Sequence, residues 1–488
     1  MEKIYPALDI IKEVSAKGEY KIMPVCLEIL SDFITPIEVL KKLKAASKHC
    51  YMLESASADV RWGRYTFLGF DPKLCINCID GQMQIGDRKI ETKNPSSEIR
   101  RIIAEHKSPQ LEGLPTFTGG LVGYFAFDYF AYSEPEIKKD VDDSEKFYDV
   151  DLMLFDKVIA FYNLHQKLIF IVNMNLNEGE AGYNKAVEEL MKLKKLVKTG
   201  KKTDSSAGKM TGEITALFDK ERFCDMVEKA KTHIFEGDIF QIVLSNRLSA
   251  PFEGSLLDTY RMLRTINPSP YMFYFSGTDM EVAGASPETL VKLENGVLHT
   301  FPLAGTRPRG KNEEEDRALE EELLKDEKEL AEHNMLVDLG RNDLGKISKF
   351  GSVEVEKLHS IERFSHVMHI GSTVRGKIRD DKDALDAIEA VLPAGTLSGA
   401  PKIKACELIG ELEGNKRGIY GGAIGYIDFT GNMDTCIAIR IAYKKNGKVF
   451  VRSGAGIVAD SDPEKEYQEC INKAKATMTA LTLAGEVE

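Results

Sequence analysis

The sequence predicts an α+β protein with large antiparallel sheets. Three observations lead there. From Ile22 to Val172, short β-branched and aromatic runs alternate with turn residues. The second half repeats hairpin-like pairs of such runs. Helical patterns fall between groups of strands rather than after each strand, which disfavours a doubly wound parallel sheet.

The first half carries a glycine-rich strand-like segment at Gly119 to Phe125, then a helical pattern from Gly182 to Val197. Lys198 to Gly212 is rich in Lys, Gly, Ser and Thr and has little to bury, which is linker composition. The main boundary is therefore set near residues 198–215, dividing the chain into 1–200 and 201–488. Beyond it, Asp219 can cap a helix whose Phe223, Met226, Val227, Ala230 and Ile234 recur at helical spacing. Ile239 to Leu244 reads as a buried strand. Further strands are expected at 281–284, 289–293, 297–301, 420–428, 434–443 and 447–453, with one charge-rich helix from Glu313 to Asp338. The last helix has Asp462 as N-cap and Pro463 in its first position, with Tyr467, Cys470, Ile471, Ala474, Met478 and Leu481 on one stripe.

Composition bounds the function. The 488 residues hold 65 Lys+Arg against 77 Asp+Glu, a formal charge of −12, so the basic excess that phosphate backbones demand is missing and nucleic acid is an unfavourable partner. No apolar run approaches the roughly 18 residues that span a bilayer, and the first residues do not form a secretory signal. The expectation is a cytoplasmic protein with no membrane partner. Eight scattered cysteines form no disulfide framework, and the Cys75/Cys78 pair sits in a strand-like alternation, which favours reduced structural thiols.

Two helices carry carboxylates at i, i+3 spacing, Glu329 with Glu332 and Glu466 with Glu469. Such pairs share a face, about 5–6 Å apart at Cβ. A solvated acidic face explains either pair alone. On the last helix, however, Glu466, Glu469 and Lys473 border an apolar stripe, as they would on the wall of a cleft. Oxygen ligands without convergent His or Cys suit Mg²⁺. Arg440 ends an apolar strand and needs a partner, either an internal carboxylate or a planar carboxylate ligand. Gly454, Ala455 and Gly456 follow Arg452 and Ser453 in a form that can present backbone N–H groups to an anion or simply turn the chain. Thr396 lies in a glycine-rich loop before Pro401 that does not match a Walker A pattern. Glu288, between two strands, is either a solvated turn residue or a part-buried carboxyl suited to proton donation. Together the inventory describes a Mg²⁺-assisted enzyme acting on a small polycarboxylate.

The stretches GASPE (284–288), PLAGTRPRG (302–310), AEHNMLVDLGRND (331–343), LPAGTLSGAPK (392–402) and RSGAGI (452–457) resemble the chorismate-utilising enzymes, over nearly the whole chain. Within them the chain is most similar to the large, component I, branch of the anthranilate synthases. Isochorismate and salicylate synthases of this family use a water-activating lysine where this chain has Gln241, and an amide is no general base. Aminodeoxychorismate synthases, the alternative branch, use a nucleophilic lysine where Ala304 stands. A tryptophan-binding sensor without enzyme activity is the alternative of another class; it would not need Glu288 or both carboxylate pairs.

The resemblance implies two large antiparallel sheets packed together and flanked by helices, with a tryptophan-binding regulatory part in 1–200 and a chorismate-binding catalytic part in 201–488. It implies Mg²⁺ on Glu332 and Glu469, with Glu329 and Glu466 alongside. Arg440 and Tyr420 would take the enolpyruvyl carboxylate. Gly454 to Gly456 and Lys473 would serve the ring carboxylate, and Gly305, Thr306 and Gln241 would line the site. Glu288 is the implied general acid, and His369 and Thr396 assist the later elimination, with His366 a neighbouring candidate. Ser55, Pro270, Tyr271 and Met272 are the implied contacts of L-tryptophan as inhibitor, near a segment that includes Arg61 and Trp62. No glutaminase elements are present in the sequence, so ammonia from a separate glutamine amidotransferase subunit (component II), in a hetero-oligomer, is implied as well.

Overall fold

A computed structural model describes residues 3–55, 63–137, 141–203, 207–363 and 367–486. His366, Arg61 and Trp62 lie outside the described residues. The described chain forms a 14-stranded and a 12-stranded sheet in which every strand pairing is antiparallel, with helices on their outer faces. The class is α+β, as the alternation of strand groups and helices predicts.

Both sheets take strands from each side of the 198–215 stretch. In the larger sheet, Cys50–Glu54 pairs with Tyr271–Ser276, placing Met272 opposite Glu54. In the smaller, Gly120–Phe125 pairs with Ala423–Asp428. Gly120 is needed at this seam because a Cβ there would lie 2.1 Å from the Ile427 carbonyl oxygen. Between the sheets sits a core that includes Tyr124, Phe155, Ile171, Phe273, Phe275, Tyr443 and Phe450, all nearly or fully buried. Each such side chain contributes about 1.5–3 kcal/mol by leaving water. Helices Pro36–Ala46, Gly179–Thr199, Leu257–Ile266 and Pro463–Leu483 cover the outer face of the larger sheet, and Pro95–Ala104, Glu327–Gly345 and Ala384–Val391 that of the smaller.

Two expected elements divide. The helix expected over 313–338 is two helices, Glu313–Leu323 and Glu327–Gly345, because Asp326 caps the second by accepting from the Lys328 and Glu329 backbone N–H groups. The strand expected over 434–443 is also two. Met433–Ile437 belongs to the smaller sheet and Ile441–Lys445 to the larger, so the chain crosses between sheets at 438–440. A second crossover lies beside it, where Glu281–Ser286 of the larger sheet continues as Thr289–Glu294 of the smaller. The two are stitched together: Ile437 N–H donates to the Glu288 carbonyl at 2.9 Å, and Ala285 N–H to the Arg440 carbonyl at 3.2 Å. These crossovers position the candidate site.

Candidate active site

Glu288 and Arg440 stand one on each crossover. The Arg440 backbone, between strands Met433–Ile437 and Ile441–Lys445, has φ +55°, a left-handed conformation uncommon outside glycine. Arg440 Nη1 donates to the Lys473 carbonyl at 2.7 Å, and among the described residues the guanidinium makes no ion pair. Burial lowers its proton affinity, which Tyr420 and Glu469 only partly restore. A half-buried cation without an anion is a receptor for one. Tyr420, ahead of strand Ala423–Asp428, is 2% exposed, and burial raises its phenol further from ionisation, so it stays a neutral hydrogen-bonding group.

Glu288 is half-buried, and burial pushes its carboxyl up to about 7, against the opposing pull of the Thr396 hydrogen bond and the Lys473 charge. Thr396 Oγ1 donates to Glu288 Oε1 at 2.9 Å from a short turn, Gly395–Leu397. A carboxyl titrating near neutrality can carry a proton to a leaving group.

Gly454, Ala455 and Gly456 lie in strand Lys448–Ile457, not in a turn; their small size serves close approach to neighbouring groups. Gly454 pairs with Ser245 and Gly456 with Val243 on one edge. On the other edge, the neighbouring strand pairs only with Lys448–Phe450, leaving 451–457 open toward the last helix. A Cβ on Gly454 would lie 3.0 Å from Tyr420 Oη, and one on Gly456 2.8 Å from Gln241 Nε2, so side chains there would fill the space beside these groups. Lys473 Nζ donates to the Gly454 carbonyl at 3.0 Å and pairs with Glu469 at 2.6 Å.

Gly305 and Thr306 lie on strand Leu303–Pro308, paired with Val367–Lys377, which carries His369. His369 Nδ1 is 2.9 Å from the Gly305 carbonyl and 3.1 Å from Thr306 Oγ1. Burial lowers the imidazole's proton affinity, so a neutral ring donates from Nδ1 to that carbonyl and keeps its lone pair on Nε2. A Cβ on Gly305 would lie 3.2 Å from Glu329 Oε2, which places the acidic helix against this strand.

The glutamates face this region from two helices. Burial raises Glu332, as does Glu329, while a hydrogen bond from Gln241 opposes. Burial also raises Glu466, with Glu469 adding to the shift. Lys328 and Lys473 act on both Glu332 and Glu466, so the two helices share one electrostatic environment. Among the described residues, three ligand atoms gather within 4.8 Å of one another only at His233, Glu236 and Asp238, at the exposed end of helix Lys220–Glu236. The four glutamates are more widely spread. An all-oxygen donor set with two carboxyls held above their ordinary range is what a divalent cation would relieve, and these residues fit Mg²⁺.

Ser55 follows strand Cys50–Glu54, whose Glu54 pairs with Met272 at the seam of the larger sheet, and Pro270 and Tyr271 directly precede Met272 in the chain. Tyr271 Oη donates to Asp434 at 2.8 Å and lies 2.9 Å from Thr289 Oγ1, next to Glu288. Met272 is 2% exposed and packs in the core.

Sequence reasoning missed a buried charge network behind the site. Glu413, Arg417 and Arg452 are each 3% exposed or less, and Glu413 binds both arginines. The isolated signal was Arg452, read only as the start of a glycine motif.

A candidate site at paired crossovers of two packed antiparallel sheets points to one class of protein, and the family model described as chorismate binding enzyme matches residues 35–479. The chain belongs to the chorismate-binding enzymes, in the branch of the anthranilate synthase component 1 proteins. It is 46% identical to that protein of Acetivibrio thermocellus over 99% of each chain, and 45% identical to that of Aquifex aeolicus over 98% of each. The crystal structure of anthranilate synthase component I from Streptococcus pneumoniae superposes with a TM-score of 0.76 at 38% identity, covering 92% of this chain and 98% of that one. The menaquinone-specific isochorismate synthase of Escherichia coli, 18% identical with a TM-score of 0.70 over 97% of this chain and 99% of that one, shares the fold. No helix among the described residues is long and apolar enough to cross a membrane.

Proposed function

We propose that the chain converts chorismate and ammonia to anthranilate, pyruvate and water, with ammonia supplied by a glutamine amidotransferase subunit in a cytoplasmic hetero-oligomer. The observation that carries this reading is the placement, on adjacent hydrogen-bonded crossovers, of a carboxyl titrating near 7 and a part-buried guanidinium that makes no ion pair among the described residues. Chorismate is a dicarboxylate with a hydroxyl to be expelled, which is what this pair can serve.

Arg440 and Tyr420 hold the enolpyruvyl carboxylate, and the open edge at Gly454 to Gly456, with Lys473, receives the ring carboxylate. Ammonia attacks ring C2, both ring double bonds shift by one position to C1=C6 and C4=C5, and the new ammonium gives up one proton, which restores the proton that Glu288 spends. The C4–O bond breaks as Glu288 gives its proton, so the hydroxyl departs as water. Thr396 orients the Glu288 carboxyl. His369, neutral and proton-accepting at Nε2, removes the C2 proton while the C3–O bond breaks; the enolpyruvate is protonated to pyruvate and the ring becomes aromatic. Gln241 offers no base for water, and Ala304 no nucleophile. When bound on Glu332 and Glu469, with Glu329 and Glu466 alongside, Mg²⁺ supplies positive charge for the ring carboxylate.

Fluorescence of anthranilate formed from chorismate, NH₄⁺ and Mg²⁺, with products resolved by chromatography, tests the reaction. Accumulation of aminodeoxychorismate, or no turnover, overturns it. The metal reading has a readout independent of activity. Mg²⁺ is expected to raise the melting temperature of the wild type and to raise that of Glu332→Gln less. With EDTA at pH 8, Glu332→Gln should melt above wild type, because a carboxyl held above its ordinary range destabilises the fold once ionised. Equal Mg²⁺ responses in the two proteins would remove Glu332 from the ligand set.

Feedback by L-tryptophan, bound at Ser55, Pro270, Tyr271 and Met272, belongs to the same proposal. Its support is the seam of the larger sheet, where Met272 pairs with Glu54, the residue before Ser55, and the Tyr271 hydroxyl lies beside Thr289. Tryptophan is expected to lower the apparent affinity for chorismate, and a Ser55 substitution to weaken that inhibition about tenfold or more, the scale of one buried hydrogen bond. An isothermal titration without tryptophan binding refutes the assignment.

A further inference from the structure

Behind the site, Arg417 is 1% exposed, and its guanidinium makes four hydrogen bonds to three different segments. Nε and Nη2 donate to Glu413 at 3.0 and 2.6 Å, Nη2 also donates to the Val243 carbonyl at 2.6 Å, and Nη1 donates to the Leu397 carbonyl at 2.6 Å. Its carbon lies 4.5 Å above the Phe127 ring. Glu413 is fixed in turn by Ser245, through its N–H at 2.8 Å and Oγ at 2.9 Å, and by Arg452 at 2.7 Å. Leu397 follows Thr396 in the turn Gly395–Leu397, and Thr396 is the residue that donates to Glu288.

We propose that Arg417 is a positioning residue for the reaction: through the Leu397 carbonyl it fixes the turn that holds the Thr396 hydroxyl on Glu288. The inference rests on the reading of Glu288 as proton donor. Only a planar guanidinium reaches a carboxylate and two separate carbonyls at once; an ammonium is a point charge that cannot span them. Replacing a buried network of this kind by apolar residues is often neutral for stability, so its conformational role is the part that function can report. The network ties strand Gln241–Glu253, which carries Gln241, and strand Lys448–Ile457, which carries Gly454 to Gly456, to the Thr396 turn.

A double-mutant cycle with Thr396 tests this in the full chain with saturating ammonia. Arg417→Lys keeps the charge beside Glu413 and removes the fork. It is expected to lower kcat on the order of 10- to 100-fold, the cost of a small misplacement, with KM for chorismate within about twofold of wild type. It should also move the alkaline limb of kcat/KM upward, because the Thr396 hydrogen bond holds Glu288 down. Thr396→Val should reproduce both effects, and Arg417→Lys should add nothing in the Thr396→Val background. Multiplicative losses in the double variant, or an unmoved limb in Arg417→Lys, overturn the proposal alone. A silent Thr396→Val overturns it together with the placement of Glu288 as the acid that Thr396 orients. Should Arg417→Lys not fold, Glu413→Gln, which loosens the guanidinium from its other side, enters the same cycle and is judged by the same outcomes.

Discussion

Glu288→Gln is expected to lower anthranilate formation by about 10²–10⁴-fold, a rise of roughly 3–5 kcal/mol in the barrier, while leaving the protein folded. The amide keeps the size of the side chain and an oxygen for the Thr396 hydroxyl, but it has no acidic proton for the departing C4 hydroxyl. The sign of the pH dependence follows from the same group. The acid must be protonated to act, and burial holds it at about 7, so kcat/KM for chorismate at a fixed concentration of free NH₃ should fall as pH rises past about 7. The variant's residual activity should lack that limb. Stability reports the carboxyl independently. A carboxyl raised in the folded state contributes stability fully present below its unfolded pKa of about 4.3 and lost as pH rises through about 7. Glu288→Gln should therefore flatten the stability profile between those values, read as melting temperature against pH. Retention of more than about a tenth of wild-type turnover, a barrier change under roughly 1.4 kcal/mol, would rule out the acid role.

What the sequence could reveal follows from the range over which each signal acts. The last helix was legible because its start is local: Asp462 accepts from the Glu464 and Lys465 N–H groups and Pro463 occupies the first turn. The carboxylate pairs were legible for the same reason, since i, i+3 spacing fixes a shared face. The acidic segment 313–338 was misread as one helix because its charge pattern continues through Asp326, and a cap inside a polar run leaves no break in periodicity. The run 434–443 was misread because an apolar strand of the smaller sheet and one of the larger look alike, and nothing in alternation marks the passage between layers. That passage positions the candidate site, so the sequence pointed to Glu288 and Arg440 separately and not to their standing on adjacent crossovers. Arg417 was invisible for a related reason. Glu413 is a local i, i+4 partner, but Val243 and Leu397 are distant in the chain and are met through backbone carbonyls, which no side-chain pattern encodes.

Arg440→Gln separates the electrostatic and conformational roles of the second crossover. Its KM for chorismate is expected to rise about 10²–10³-fold, with kcat changed much less, because a buried charge-assisted pair is worth roughly 2–5 kcal/mol and is formed with the bound substrate as well as in the transition state. Glutamine keeps a neutral amide donor but has neither the charge nor the fork for a carboxylate. It also retains the unfavourable left-handed backbone at φ +55°, which costs a non-glycine residue about 1–2 kcal/mol. Arg440→Gly removes that cost along with the side chain. If the charge is what binds, Arg440→Gly should bind chorismate as poorly as Arg440→Gln whatever its melting temperature. If the backbone geometry alone shapes the site, the glycine variant should bind like wild type and the glutamine variant should too. A chorismate analogue lacking the enolpyruvyl carboxylate distinguishes the anion involved. It should lose affinity for the wild type and bind Arg440→Gln with nearly the same weak affinity as chorismate does, since the interaction it cannot make is the one the variant has already lost. Undiminished discrimination between chorismate and the analogue in Arg440→Gln would assign the enolpyruvyl carboxylate to another residue, with Lys473, whose carbonyl accepts from Arg440, an alternative cation.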